Sequence, residues 1–264
     1  MDDLGAGRHL VRDGCLPGSV LQVPPHSAQP HARPPRPSPC GSPSTSEREQ
    51  VISMKLQQPG DASTMPVPYI TAYSGETDPS PLVFTKNHLG ALRLAYEHAR
   101  DDDRRLGVLR ARAGQSREGR PIWGSPNVRR QWECMENLLC QVCGCPATDD
   151  RSGRVPWLVT DGNFRRTGID GGQTATPPTC LDCMPLALSL CPHLRDTPAV
   201  YMVGKANPVS VLAHVYTPAG DGYAAFTGEH NVELPLSGSD LLSYAVAHRL
   251  VMSMSEITPI WRVA

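Results

Sequence analysis

The amino-acid sequence predicts an α+β fold, with helices before a central cysteine-rich lobe and a small antiparallel sheet plus a helix after it. Three observations carry that expectation. Two Cys-x-x-Cys pairs, Cys140/Cys143 and Cys180/Cys183, stand mid-chain. Upstream of them, Leu89, Leu92, Ala95 and Tyr96 recur at spacings of three and four, the period of one helix face. Downstream, Val209, Val211, Ala213 and Val215 alternate as a half-buried strand does, and Leu242, Val246, Leu250 and Met254 recur every four residues.

Taken in order, residues 1–64 are rich in proline and serine, with no apolar period, and read as a disordered extension. Met54 and Met65 are both candidate internal starts, and Met65 is favoured. A docking tail is the other reading of this tract. Residues 65–264 are then one α+β domain, with the lobe at about 134–195. Val67 to Tyr73 reads as an edge strand. Thr85 or Asn87 caps a helix to about Arg100, Leu106 to Arg112 is a strand, and residues 116–124 are loop. Ser125 caps a helix with Pro126 at its first position, running through Trp132 into Cys140. Val155 to Val159 is a short strand, followed by a loose hairpin. Past the second cysteine pair, residues 199–203 and 209–216 are separate strands joined by a Gly204-to-Pro208 turn, and residues 223–226 are a third. Ser237 or Ser239 then caps a helix to about Met254.

The cysteines carry the clearest chemistry. Thiolate is a soft, charged ligand, and zinc(II) takes four of them tetrahedrally without redox change. Two residues between paired cysteines let the backbone turn so that both sulfurs face one ion. Gly144 supplies the positive φ that such a turn needs. Cys140, Cys143, Cys180 and Cys183 are therefore the expected metal ligands, with zinc as the cofactor. Buried core thiols, disulfides and a rubredoxin-like or iron–sulfur site stay open as alternatives, although Met184 replaces the glycine that rubredoxin-like knuckles repeat. Cys134, Cys145, Cys191 and His193 lack a compact pair spacing. They could build a second site only in principle.

A knuckle, irregular strands and a ligand pair at a helix start together resemble the treble-clef zinc finger, and more distantly a zinc knuckle of the HNH type. The resemblance implies a treble-clef-like zinc lobe. It does not imply HNH catalysis, because no histidine lies between Cys134 and Cys183 to serve as general base.

Composition bounds the function. Net charge is −1 over 264 residues, so global charge selects no partner. No apolar run approaches the roughly 20 residues that span a bilayer, and no signal peptide opens the chain. Nine cysteines in paired spacing without an export signal suit a reducing, cytoplasmic setting. The wealth of Ala, Arg, Pro and Gly fits a GC-rich bacterial or phage genome. From Lys86 to Trp132 basic residues outnumber acidic ones eleven to five. Arg104, Arg105, Arg129 and Arg130 are the candidate nucleic-acid contacts, with coding bias and screening by Asp101 to Asp103 as the competing reading. No phosphate-binding glycine loop or nucleophile elbow occurs. The expected function is a zinc-stabilised binding or adaptor protein whose partner is nucleic acid or another protein. An enzyme using His214 or His230 near the C-terminal sheet, or a redox or metal-sensing switch, are the alternatives. No small-molecule substrate is indicated.

Overall fold

The computed structural model describes residues 66–220 and 222–262. The extension expected over residues 1–64, with the start candidate Met54, lies outside the described residues, as does the favoured start Met65. The described chain is dominated by strand, which overturns the α+β expectation of helices flanking a zinc lobe. Among the described residues there are two α-helices and a nine-stranded sheet.

The chain opens with β1 (Thr71–Tyr73), which pairs antiparallel with β6 (Pro121–Pro126). Where a helix was expected from Thr85 or Asn87 to Arg100, β2 (Leu82–Lys86) and β3 (Leu92–Tyr96) form a hairpin. The reason lies in the turn. The Asn87 side chain accepts backbone N–H bonds from Leu89 (2.9 Å) and Ala91 (3.0 Å), and Gly90 takes φ +81°. The same asparagine oxygen that caps helices here closes a turn, and Leu89, placed on the expected helix face with Leu92, Ala95 and Tyr96, points to solvent. Leu94 and Tyr96 alternate inward instead. The short strands β4 (Arg104–Arg105) and β5 (Val108–Arg110) follow.

Helix α1 (Val128–Glu136) starts two residues later than expected. Its N-cap is Asn127, whose side chain accepts the Arg130 N–H, while Pro126 ends β6. The helix stops at Asn137 rather than running into Cys140, because Leu138 turns left-handed at φ +52°. Strand β7 (Val155–Thr160) and the hairpin of β8 (Arg165–Arg166) and β9 (Gly172–Thr174) agree with the sequence reading. Helix α2 (Met184–Leu190) follows the second cysteine pair.

Two long strands build the core. Strand β10 (Pro198–Pro218) runs through the expected turn at residues 204–208 without reversing. Pro208 lies at a register irregularity, where its missing N–H is tolerated. Gly204 is required: a Cβ there would lie 2.8 Å from Cβ of Glu256, which itself has φ +56°. After β11 (Ala224–Phe226) and β12 (Val232–Pro235), the expected helix to Met254 is instead a single 3-10 turn, Asp240–Tyr244, followed by β13 (Ala245–Arg262). A spacing of four is close to one helical turn but is also an even number, so it places residues on one strand face equally well. The arbiter is β10, whose length gives β13 an antiparallel partner from Val215 to Ala199. Ala245, Val246 and Ala247, then Leu250, Val251 and Met252, are buried in succession, as befits a strand covered on both faces.

The far edge of β13 is completed by three different devices. Strand β5 pairs parallel at Val246 and Ala247, and β9 pairs antiparallel at residues 252–254. Between them, the Gln131 side chain of α1 acts as a one-residue strand. Its amide donates to the Leu250 carbonyl (2.9 Å) and accepts the Leu250 N–H (2.9 Å), and it also donates to the Ala175 carbonyl (3.0 Å). Gln131 is fully buried, so these bonds satisfy groups that water does not reach. Trp132, Met135 and Trp157 pack in the same cluster as Leu250, Met254, Cys140 and Cys180, which joins the sheet core to the cysteine region. No helix among the described residues is long and apolar enough to cross a membrane.

Candidate metal centre

The knuckle forms as soon as α1 ends. Leu139 bridges Pro146, the Cys140 N–H donates to the Cys145 carbonyl (2.7 Å), and the Gly144 N–H donates to the Cys140 carbonyl (2.8 Å). Gly144 has φ +75°, and a Cβ there would meet the Tyr69 ring at 2.8 Å. Glycine is thus demanded twice, by conformation and by space. The second pair turns at the start of α2. The Cys183 and Met184 N–H groups both donate to the Cys180 carbonyl (3.1 and 3.2 Å). Cys183 is the residue before the helix, and Pro185 sits at its second position.

Gln141, between the first two cysteines, ties the two loops together. Its N–H donates to the Pro178 carbonyl (2.9 Å), and its side-chain amide donates to the Pro177 carbonyl (3.1 Å) and to the Thr179 hydroxyl (2.9 Å). Trp157 of β7 donates to the Thr176 carbonyl (2.7 Å), which fixes the second loop to the sheet. From the other side, the Tyr69 and Ile70 N–H groups donate to the Val142 and Gln141 carbonyls (2.8 and 3.1 Å). These partners were not legible in the sequence, because a glutamine or tyrosine at such a position has no spacing signature.

The result brings the four predicted cysteines together. The sulfurs of Cys140, Cys143, Cys180 and Cys183 all lie within 4.8 Å of one another, and those of Cys143 and Cys180 are 3.9 Å apart. A tetrahedral ion with metal–sulfur bonds of about 2.3 Å separates its sulfurs by about 3.8 Å. A disulfide would need about 2.05 Å. The spacing therefore suits four thiolates around one metal ion. Cys140 is fully buried and Cys180 nearly so, while Cys143 and Cys183 are half-buried. The Val142 N–H points at the Cys140 sulfur (3.4 Å), as a donor to a thiolate would.

Crowding sets the protonation of this group. S–H donation from Cys143, Cys180 and Cys183 holds the Cys140 thiol far below its ordinary range. The same contacts with Cys140 push Cys143 and Cys183 far above theirs. Thiolates this close repel one another. A divalent cation at their centre supplies the charge that lets all four ionise.

Cys134, Cys145, Cys191 and His193 fall outside the cluster. Cys134 is buried on α1, where desolvation pushes its thiol up, and Cys191 caps the end of α2. Among the described residues, no other group of three or more such ligands is gathered as tightly.

The four arginines proposed for nucleic acid are not gathered into one exposed patch. Arg130 is buried, and its guanidinium forms a bidentate pair with the equally buried Glu76 (2.8 and 2.7 Å) and donates to the Thr71 carbonyl (2.7 Å). Arg105 pairs with Glu136 (2.8 Å), Arg129 pairs with Asp102, and Arg104 donates to the Leu94 carbonyl. A surface groove joins Arg104, Arg105, Arg110 and Arg129, but Asp101, Asp102, Glu133 and Glu136 line it too.

Comparison of the chain with protein-family models, with curated proteins and with solved structures yields no match.

Proposed function

We propose that the protein is a zinc-stabilised binding module whose metal is structural. The observation that carries this reading is the convergence of four sulfurs, from loops 37 residues apart at Cys143 and Cys180, on a single centre. Four thiolates fill a tetrahedral shell and leave no position for a metal-bound water, so the centre serves folding rather than hydrolysis. Zinc is favoured over iron by the second pair, where Met184 begins a helix in place of a second glycine knuckle. Knuckle first, ligand pair at a helix start second, supports a local treble-clef likeness. A reducing compartment such as the cytoplasm keeps such ligands as thiolates.

A protein is the favoured partner. Four acidic and four basic groups line the groove beside Arg104, Arg105 and Arg129, so a phosphate backbone meets little net positive charge there. On β6, Ile122 and Trp123 are 42% and 50% exposed, an apolar surface of the kind that protein contacts cover.

Hydrogen exchange with and without a chelator tests the structural role. Metal removal should release the amides of residues 138–147 and 176–184 while β10 and β13 stay protected. Unchanged protection in both loops would contradict it. Fluorescence anisotropy with duplex and single-stranded DNA and RNA at low salt tests the partner. Binding that falls steeply with added salt would turn the reading back to nucleic acid.

A further inference from the structure

Three histidines from separate segments meet on the long sheet. His214 lies on β10, His230 just before β12, and His248 on β13. The register explains the meeting. Leu212 pairs with Arg249 and Ala213 with Ala247, so His248 is an extra residue that the partner strand does not match. Its ring lies against that of His214, with centroids 3.9 Å apart and planes at 35°. His230 is brought in by a tight bend. Gly228 has φ +90°, Asn231 has φ +52°, and the Val215 N–H donates to the Glu229 carbonyl (3.3 Å) before β12 joins β10 at Val232. The bend stands the His230 ring edge-on to His214, with centroids 4.7 Å apart, and Phe226 flanks both rings.

We propose that His214 Nε2 and His230 Nδ1 form a chelating pair for a divalent transition-metal ion, a second site separate from the thiolate centre. These nitrogens are 3.4 Å apart. That is long for a hydrogen bond, but two metal–nitrogen bonds of about 2.0–2.1 Å at a tetrahedral angle put their nitrogens about 3.3–3.4 Å apart. Imidazole is the ligand that suits zinc, nickel and copper. His230 is exposed, so an ion reaches the pair from solvent. His248 is a positioning residue. Its ring stacks on that of His214 and fixes its plane. Two protein ligands leave the remaining positions of the ion to water or to a small anionic or carbonyl ligand, unlike the closed thiolate shell.

Equilibrium dialysis of the tag-free full chain against micromolar zinc tests the site, with bound metal counted per chain. The wild-type protein should hold one equivalent more than His230→Gln, and at least tenfold tighter at that position. His214→Gln should lose the same equivalent. Because His230 stands in an exposed bend, His230→Gln keeps the fold, so it decides the matter even where His214→Gln does not fold. The difference between wild type and His230→Gln reads the pair alone, whatever the thiolates hold. Imidazole ring resonances of His214 and His230, and not those of His88 or His98, should shift on adding the extra equivalent. Equal metal content in wild type and His230→Gln, or no shift in those resonances, overturns the proposal.

Discussion

Glu76→Gln tests how the fold holds the knuckle. Glu76 and Arg130 are each 2% exposed at the side chain and share two charged hydrogen bonds. Glu76 also accepts N–H bonds from Tyr73 and Arg117 and from the Asn127 amide, so five donors converge on one carboxylate. Replacing it with glutamine keeps the shape but leaves the Arg130 guanidinium charged and uncompensated in the core. Removing one partner of a buried pair costs about 3–5 kcal/mol, roughly a fifth or more of the about 5–15 kcal/mol stability of an ordinary domain. The consequence reaches the metal centre, because the segment that Glu76 anchors also carries Tyr69 and Ile70, the residues whose N–H groups hold the knuckle. Urea denaturation of the metal-loaded protein should show the loss, and transfer of metal to a chromogenic chelator should be faster. The double variant Glu76→Gln/Arg130→Met should recover much of the stability, since it removes the orphaned charge. A loss below about 1 kcal/mol for Glu76→Gln, the size expected of an exposed pair, would refute the reasoning.

Other outcomes follow from the same geometry. Gln131→Leu leaves the Leu250 N–H and carbonyl without partners on the uncovered stretch of β13, and at about 1–3 kcal/mol per buried group it should cost about 2–6 kcal/mol in denaturant titration. Gly144→Ala forces a left-handed alanine against the Tyr69 ring, and should lower both the thermal midpoint and the affinity for metal, seen by calorimetry with and without the ion. Acid should weaken the fold in two stages. Burial pushes His248 down to about 4, with His214 adding to the effect, so the unfolded chain takes up a proton there before the folded one does. Stability should therefore fall between about pH 6.5 and 4, by at most about 1.4 kcal/mol per pH unit from this group, and His248→Phe should flatten that slope. Burial opposes ionisation of Glu76 and Asp103, but Arg130 and Asn127 on the first, and Arg112 on the second, outweigh it and hold both carboxyls below their ordinary values. Their contribution is present above pH 4.5 and is lost as pH falls through those depressed values, which a pH series of unfolding curves resolves.

The cysteine cluster was legible because its information is local. A Cys-x-x-Cys pair declares itself within four residues, and both pairs are where the spacing placed them. Strand β7 and the β8–β9 hairpin were legible for the same reason. The sheet was not, because its decisive facts lie far apart in sequence. Leu242, Val246, Leu250 and Met254 satisfy a helix and a strand alike, and only β10, some forty residues earlier, selects the strand. Asn87 signalled a cap but could not say of what. Gln131 gave no signal of its own, since its role exists only where β5 and β9 leave a gap beside Leu250. Arg130 looked like surface charge until its partner Glu76, 54 residues away, was brought to it.

X-ray absorption at the metal edge, on protein purified without added metal, addresses the centre itself. One zinc per chain bound by four sulfurs at about 2.3 Å is expected, with Cys143→Ser reducing the sulfur count or losing the metal. Protein that carries no metal and stays folded, or a metal shell built from oxygen and nitrogen that Cys143→Ser leaves unchanged, would contradict it.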